Sequence, residues 1–235
     1  MKNKVTPFYK EAVDVVNAGL RKYMLSVFSH MSIGLALTAI VAYLVSTSPA
    51  LMSFLFSNAV VFWIVALAPL GIAVYLSTKI SSLSAEKAKG LFYAYSGCLG
   101  LSLSSLFIVY TGSSIACTFF TTSSMFLSMV IYGYVTQKDL SSWGSLLIMG
   151  LLGIIIASII NIFTRSSGAD LVISLLGVVI FTGLTAYDTQ TIKNYYLDSD
   201  STEVGEKKAV FGAFQLYLDF INLFLYILRF FGKKR

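Results

Sequence analysis

The sequence predicts an all-α membrane protein of seven transmembrane helices, with the last helix central in the bundle. Three observations predict it. The 235-residue chain is 57% hydrophobic and only 12% charged, whereas soluble domains carry about 25% charged residues, and a mean hydropathy of +0.80 leaves no room for a separate soluble domain. The apolar residues gather into seven runs of roughly 20 residues, each able to cross about 30 Å of hydrocarbon at about 1.5 Å of rise per residue. The last run carries a polar stripe on one face, as expected of a helix packed inside a bundle rather than turned to lipid.

Residues 1–22, with Lys2, Lys4, Lys10, Glu11 and Asp14, read as a polar cytoplasmic segment without the short apolar stretch and cleavage site of a removable signal. The spans are expected at 23–46, 58–78, 90–110, 114–135, 143–163, 171–192 and 209–228, which makes 23–228 one transmembrane domain and 229–235 a basic tail. In the first span the single histidine, His30, reads as structural, since a lone imidazole supplies no metal site. Pro69 in the second span removes an amide donor and is expected to kink the helix. The third span is rich in small residues (Ser96, Gly97, Gly100, Ser102, Ser104, Ser105), which allow close helix approach or line a narrow aqueous path. Cys98 and Cys117 both fall in apolar runs and read as small buried side chains, not as a disulfide or metal pair.

Lysines and arginines orient the chain. Twelve fall in the N-terminal segment and alternate loops on its side, against one in the opposing loops, so the N-terminus is expected to be cytoplasmic. Arg229, Lys233, Lys234 and Arg235 run against this bias, yet a run of 20 apolar residues, Ala209 to Leu228, is long enough for a full crossing. The net charge of +6 is spread over membrane flanks; it suits topology and anionic lipid rather than nucleic acid.

Two carboxylates lie inside the apolar runs. Asp219 sits near the middle of the seventh, where an aspartate costs about 2.5 kcal/mol or more and calls for a partner, a cavity or a task. At about 100° per residue, Gln215, Asp219, Asn222 and Tyr226 form one stripe within about 60°, turned to a cavity or to another helix. Asp188 lies near the end of the sixth run, where an interfacial or capping role is also open. The two helices run antiparallel, and on straight helices the carboxylates differ in depth by about 8 Å, a gap that tilt closes. If they meet in a poorly solvated place, they share a proton over some pH interval: protonated they hold the two helices together, and ionised they repel or admit a cation.

These residues resemble a known family. Leu184-Thr-Ala-Tyr-Asp-Thr-Gln190 and Leu216-Tyr-Leu-Asp-Phe-Ile-Asn-Leu-Phe-Leu225 are similar to the closing two helices of the Bax inhibitor-1 (TMBIM) family, bacterial branch, and Ala68-Pro-Leu70, Tyr110-Thr, Tyr132-Gly-Tyr134, Asp139-Leu-Ser141 and Asn161 extend the resemblance over all seven spans. The resemblance implies a last helix surrounded by the other six, with two aspartates, here Asp188 and Asp219, forming a pH-sensing dyad that controls a calcium leak. Some relatives have a basic residue in the second span that latches onto the dyad; the nearest basic residue here is Lys79, at the end of that span. Bacterial relatives also imply a link to a membrane-bound ATP-dependent protease.

Two carboxylates with Gln215, Asn222 and tyrosine hydroxyls fall short of the six to eight oxygens of a tight calcium site, so weak, transient binding at Asp188 and Asp219 is the expectation. No cofactor is expected, and no catalysis. Asp219 lacks the Gly-x-Gly-Asp of intramembrane aspartyl proteases, and the seventh span has no central lysine for a retinal Schiff base. The alternatives to a pH-sensitive cation leak are a proton-coupled cation transporter and a non-conducting regulator of a protease or other partner. The chain is expected in a bacterial inner membrane.

Overall fold

A computed structural model describes residues 7–235, with side-chain surroundings from Ala18 onward. Residues 1–6 of the expected N-terminal segment, with Lys2 and Lys4, lie outside the described residues, as do the side chains of Lys10, Glu11 and Asp14. The elements are α1 (Pro7–Ser46), α2 (Pro49–Ser57), α3 (Ala59–Lys79), α4 (Ala85–Leu103), α5 (Leu106–Val109), α6 (Gly112–Val135), α7 (Ser141–Thr164), α8 (Ser167–Tyr195) and α9 (Thr202–Phe231). Among the described residues seven stretches are long and apolar enough to cross a bilayer, with α4 and α5 together making the third. The protein is an all-α, multi-pass membrane protein.

Capping residues set most of the boundaries. The side chains of Asn58, Ser84, Thr111, Ser166 and Ser201 accept from backbone N–H groups in the first turns of α3, α4, α6, α8 and α9, satisfying donors that a helix start leaves free. Expected and observed spans differ at four places. The helix of the first span begins at Pro7 and that of the last at Thr202, because a helix continues past the hydrocarbon until a cap or breaker stops it. Residues 47–57, read as a loop, hold α2, started by the Ser48 cap and Pro49. The third span breaks at Ser104 and Ser105, whose hydroxyls donate to Leu101 O and Ser102 O, a back-bonding that competes with the helical ladder.

The helix α3 runs on through Pro69. The missing proline N–H frees the Val65 carbonyl, and Ser102 Oγ donates to it at 2.8 Å, as a membrane interior requires of any exposed backbone acceptor. Ser96, Gly100 and Ser102 of the third span therefore serve helix contact. Gly100 lies where a Cβ would meet the Thr38 carbonyl and Val41 of α1, and the Ser96 carbonyl accepts from Thr38 Oγ1 at 2.8 Å.

The last helix is the core. Two-thirds (67%) of its most apolar window is buried, against 11% for α3 and 6% for α7. It packs against α1, α4, α6 and α8, while α3 packs chiefly on α4 and α7 on α8. Four helices rather than six thus wrap it, with the second and fifth spans forming an outer, lipid-facing layer. Phe92, Tyr95, Phe214 and Tyr217 meet edge to face in the α4–α9 contact, with ring centroids 5.1–6.0 Å apart. Tyr217 OH lies 2.6 Å from Thr38 Oγ1, tying the centre to α1. His30 is buried and bonded to Tyr93 OH at 2.8 Å, a structural role with a partner on the neighbouring helix. Cys98 is half-buried, but Cys117 is exposed, contrary to the expected burial: α6 turns Thr118, Thr122, Phe126 and Val130 inward, leaving the adjacent thiol, apolar enough for lipid, on the outer face.

α9 runs the full height of the bundle. Its C-terminal tail reaches the end opposite its start, where Thr111 N–H donates to Lys233 O and Arg235 N–H to Val109 O. Arg229 forms an ion pair with Asp170 at the start of α8.

Candidate functional site

The polar stripe of α9 faces α8. Gln215 lies against the Tyr195 hydroxyl, the Asp219 carboxyl meets the Asp188 carboxyl within hydrogen-bonding reach, and the Tyr226 ring stacks on Phe181 with centroids 5.7 Å apart. Tyr195, Asp188 and Phe181 are spaced by seven residues, two helical turns, so one face of α8 answers one face of α9 in antiparallel register. In that register the two carboxyls meet, which closes the depth difference expected between the aspartates.

Asp219 is 4% exposed, and its Oδ2 meets no donor among the described residues. Gln215 Oε1, one turn away on the same face, is likewise buried and unpaired. Asp188 is half-buried. The ion pairs among the described residues, Lys208–Asp200 and Arg229–Asp170, lie elsewhere, and Lys79 is exposed at the end of α3. Two carboxyls confined without a cation cannot both ionise cheaply; they can share a proton or take up a cation. The other stripe residues are engaged locally. Asn222 Nδ2 donates to the Leu218 carbonyl of its own helix at 2.8 Å, and the Tyr226 ring sits where a side chain on Gly177 would lie, its hydroxyl towards Ser158. Neither joins the carboxyl pair. Among the described residues no three His, Cys, Asp or Glu side chains cluster as a metal site.

The residues flanking Asp188 hold its helix. A Cβ on Gly133 would strike the Ala186 backbone, and one on Gly144 the Tyr187 ring, so α6 and α7 approach α8 closely only because these positions are glycine. Sequence reasoning missed two anchors. Gln190 bridges the α6–α7 loop, its Oε1 accepting from Leu140 N–H at 2.9 Å and its Nε2 donating to Lys138 O at 2.8 Å. Lys193 Nζ donates to Tyr134 O at 2.9 Å. The signal available was their spacing from Asp188, two and five residues on, at a helix end where carbonyls need donors. In the same loop Asp139 Oδ1 accepts from Ser141 N–H at 2.9 Å, and the Ser141 hydroxyl and amide hold the Asp139 carboxyl below the usual range.

Residues 20–235 match the family model described as inhibitor of apoptosis-promoting Bax1. The chain belongs to the Bax inhibitor-1 family. Its similarity to bacterial relatives covers most of the chain: it is 46% identical to the inner membrane protein YbhL of Escherichia coli over 93% of this chain and 94% of that one. It is 48% identical to a protein of Borreliella burgdorferi over 91% and 93%, and 33% identical to a membrane protein of Streptococcus pyogenes over 93% and 95%.

Proposed function

We propose that this Bax inhibitor-1 family protein is a pH-sensitive cation leak of a bacterial inner membrane, that calcium is among the ions it passes, and that Asp188 and Asp219 are its sensor and gate. The observation that carries the reading is the meeting of two carboxyls across the α8–α9 seam, one of them buried, with the unpaired Gln215 Oε1 one turn away. A shared proton bonds the pair and holds the seam shut. Loss of that proton sets two like charges against each other in a poorly solvated place, which favours separation of the helices and entry of a cation. Three side chains offering oxygen (Asp188, Asp219 and Gln215) make a sparse site, from which a divalent ion can leave as readily as it enters. The N-terminus is assigned to the cytoplasm by the positive-inside bias.

The test is calcium entry into liposomes holding the purified protein, from about pH 5.5 to 8.5, for the native chain, Asp188→Asn and Asp219→Asn. Asparagine can hydrogen-bond but cannot ionise, so either variant should mimic the protonated pair, with low flux that no longer depends on pH. Variants that keep the native pH profile would remove the dyad from the gate. Absence of flux from the folded, inserted native protein at every pH would favour a non-conducting regulator of a membrane protease or another partner.

A further inference from the structure

A crevice of about 410 Å³ opens on the side of the bundle between α1 and α6, within the range of about 300–1,000 Å³ usual for ligand sites. Both helices flank α9 without closing over it. Phe220, Ile221 and Phe224 of α9 form the floor, Ala39 and Ala116 the walls, and Phe107 of α5 a rim, its ring 6.3 Å from that of Tyr43. The lining residues with a hydroxyl are Thr38, already bonded to Tyr217, and Tyr43, an exposed residue at the rim. Here residues of the central helix line a crevice that opens at the side of the bundle.

The mouth is basic. Lys233 N–H donates to Ser114 Oγ at 2.9 Å, and with the Thr111–Lys233 and Val109–Arg235 bonds this pins the tail beside Gly112 and Ile115, which line the crevice. Lys233, Lys234 and Arg235 are exposed there. Among the described residues the only side-chain carboxylate at this end is Asp170, which is paired with Arg229. An apolar slot that ends beside three exposed cations suits an anionic amphiphile.

We infer that the crevice is a phospholipid site: one acyl chain lies against Phe220, Ile221 and Phe224, and Lys233, Lys234 and Arg235 hold an anionic head group. Each basic residue at such a head group contributes about fivefold in binding, so three of them, partly screened, give a preference of about tenfold or more for an anionic over a zwitterionic lipid.

The experiment titrates delipidated protein in detergent with phosphatidylglycerol or with phosphatidylcholine of the same chains, and reads bound lipid by native mass spectrometry. The expected result is one phosphatidylglycerol per chain, held at least about tenfold more tightly than phosphatidylcholine. Changing Lys233, Lys234 and Arg235 together to Gln should bring the two lipids within about twofold. Combining Ala39→Phe with Ala116→Phe, at two exposed positions that face the slot, should weaken both lipids about tenfold. A second measurement does not depend on the filled variant: with Trp63 and Trp143 changed to Phe and Ile221→Trp as the sole reporter, chain-brominated phosphatidylglycerol should quench more strongly than brominated phosphatidylcholine. Equal binding of both lipids by the native chain means annular lipid only and overturns the inference. Full competition by glycerol phosphate lacking acyl chains makes the tail a simple anion site and overturns it as well.

Discussion

Tyr217 is fully buried, and the loss of its hydroxyl should change sign with its surroundings. Thr38 Oγ1 has one proton and two backbone acceptors in reach, Gly34 O at 3.0 Å and Ser96 O at 2.8 Å, so the 2.6 Å contact is best satisfied with the phenol donating to Thr38. The Ser96 hydroxyl, a second acceptor, also lies beside the phenol. In the native chain Tyr217→Phe removes one hydrogen bond and strands no donor, a cost of about 0.5–1.5 kcal/mol, with the lower end favoured by the average of about 0.6 kcal/mol for hydrogen bonds between membrane helices. With Thr38→Val and Ser96→Ala in place, the phenol has lost both acceptors and is an orphan donor carrying a penalty of about 1–3 kcal/mol. Tyr217→Phe in that background should therefore stabilise. The assay is equilibrium unfolding in mixed micelles across the four chains of the cycle, where about 1.4 kcal/mol is a tenfold change in the folded-to-unfolded ratio. A Tyr217→Phe cost that is the same in both backgrounds would refute the network, and with it the claim that α9 is tied to α1 and α4 by directed bonds rather than by apolar packing alone.

Gly133→Ala should cost about 1–3 kcal/mol or more, because the new Cβ meets the Ala186 backbone; lower thermal stability in detergent, together with altered flux because Asp188 lies two residues on, checks it. Ser102→Ala should lower stability by about 1 kcal/mol by leaving the Val65 carbonyl unpaired, and Pro69→Ala in the same chain, which restores the helical donor, should recover most of it. Asp139→Ala should lower the melting temperature at neutral pH. The folded carboxyl is held below its unfolded value, so the stabilisation is full above about pH 4 and fades as the pH falls through the folded value; a difference between native and Asp139→Ala that persists at the acidic end would show that charge is not its source.

Hydropathy made the seven spans legible, because bilayer thickness imposes a run length that few other structures need. Helix ends were less legible: the helix of the seventh span starts at Thr202 rather than near Ala209 because its end is set by the Ser201 cap, not by polarity. The stripe of Gln215, Asp219, Asn222 and Tyr226 could be read from a period of 3.6, and the aspartate pair from composition together with the resemblance. What the stripe faced was not legible. Asn222 bonds its own helix and Tyr226 stacks on Phe181, and neither outcome follows from angular position, since both depend on the antiparallel register with α8. The partners of Gln190, Lys193 and Ser102 were not legible for a related reason: each answers a backbone group far away in sequence, and only the fold reveals which carbonyl or amide has been left free.

The arrangement of bonds around the carboxyl pair decides which helix can respond to it. α9 is wrapped by four neighbours, tied to α1 and α4 through Tyr217 and Thr38, and pinned at its far end by Arg229 and the tail. Moving it would disturb every one of those contacts. Apart from the Arg229–Asp170 pair, which it shares with α9, α8 carries fewer directed ties. Near Asp188 these are Gln190, to the segment that joins α6 to α7, and Lys193, to the last turn of α6, with the glycine contacts at Gly133 and Gly144 keeping α6 and α7 against it. Repulsion across the seam would therefore be relieved at lower cost by displacing the Asp188 end of α8, carrying the α6–α7 loop with it, than by moving the central helix. On that reasoning α9 is the fixed wall of the proposed gate and α8 its moving part, which explains why the residues that follow Asp188 are spent on holding a loop rather than on contacting an ion.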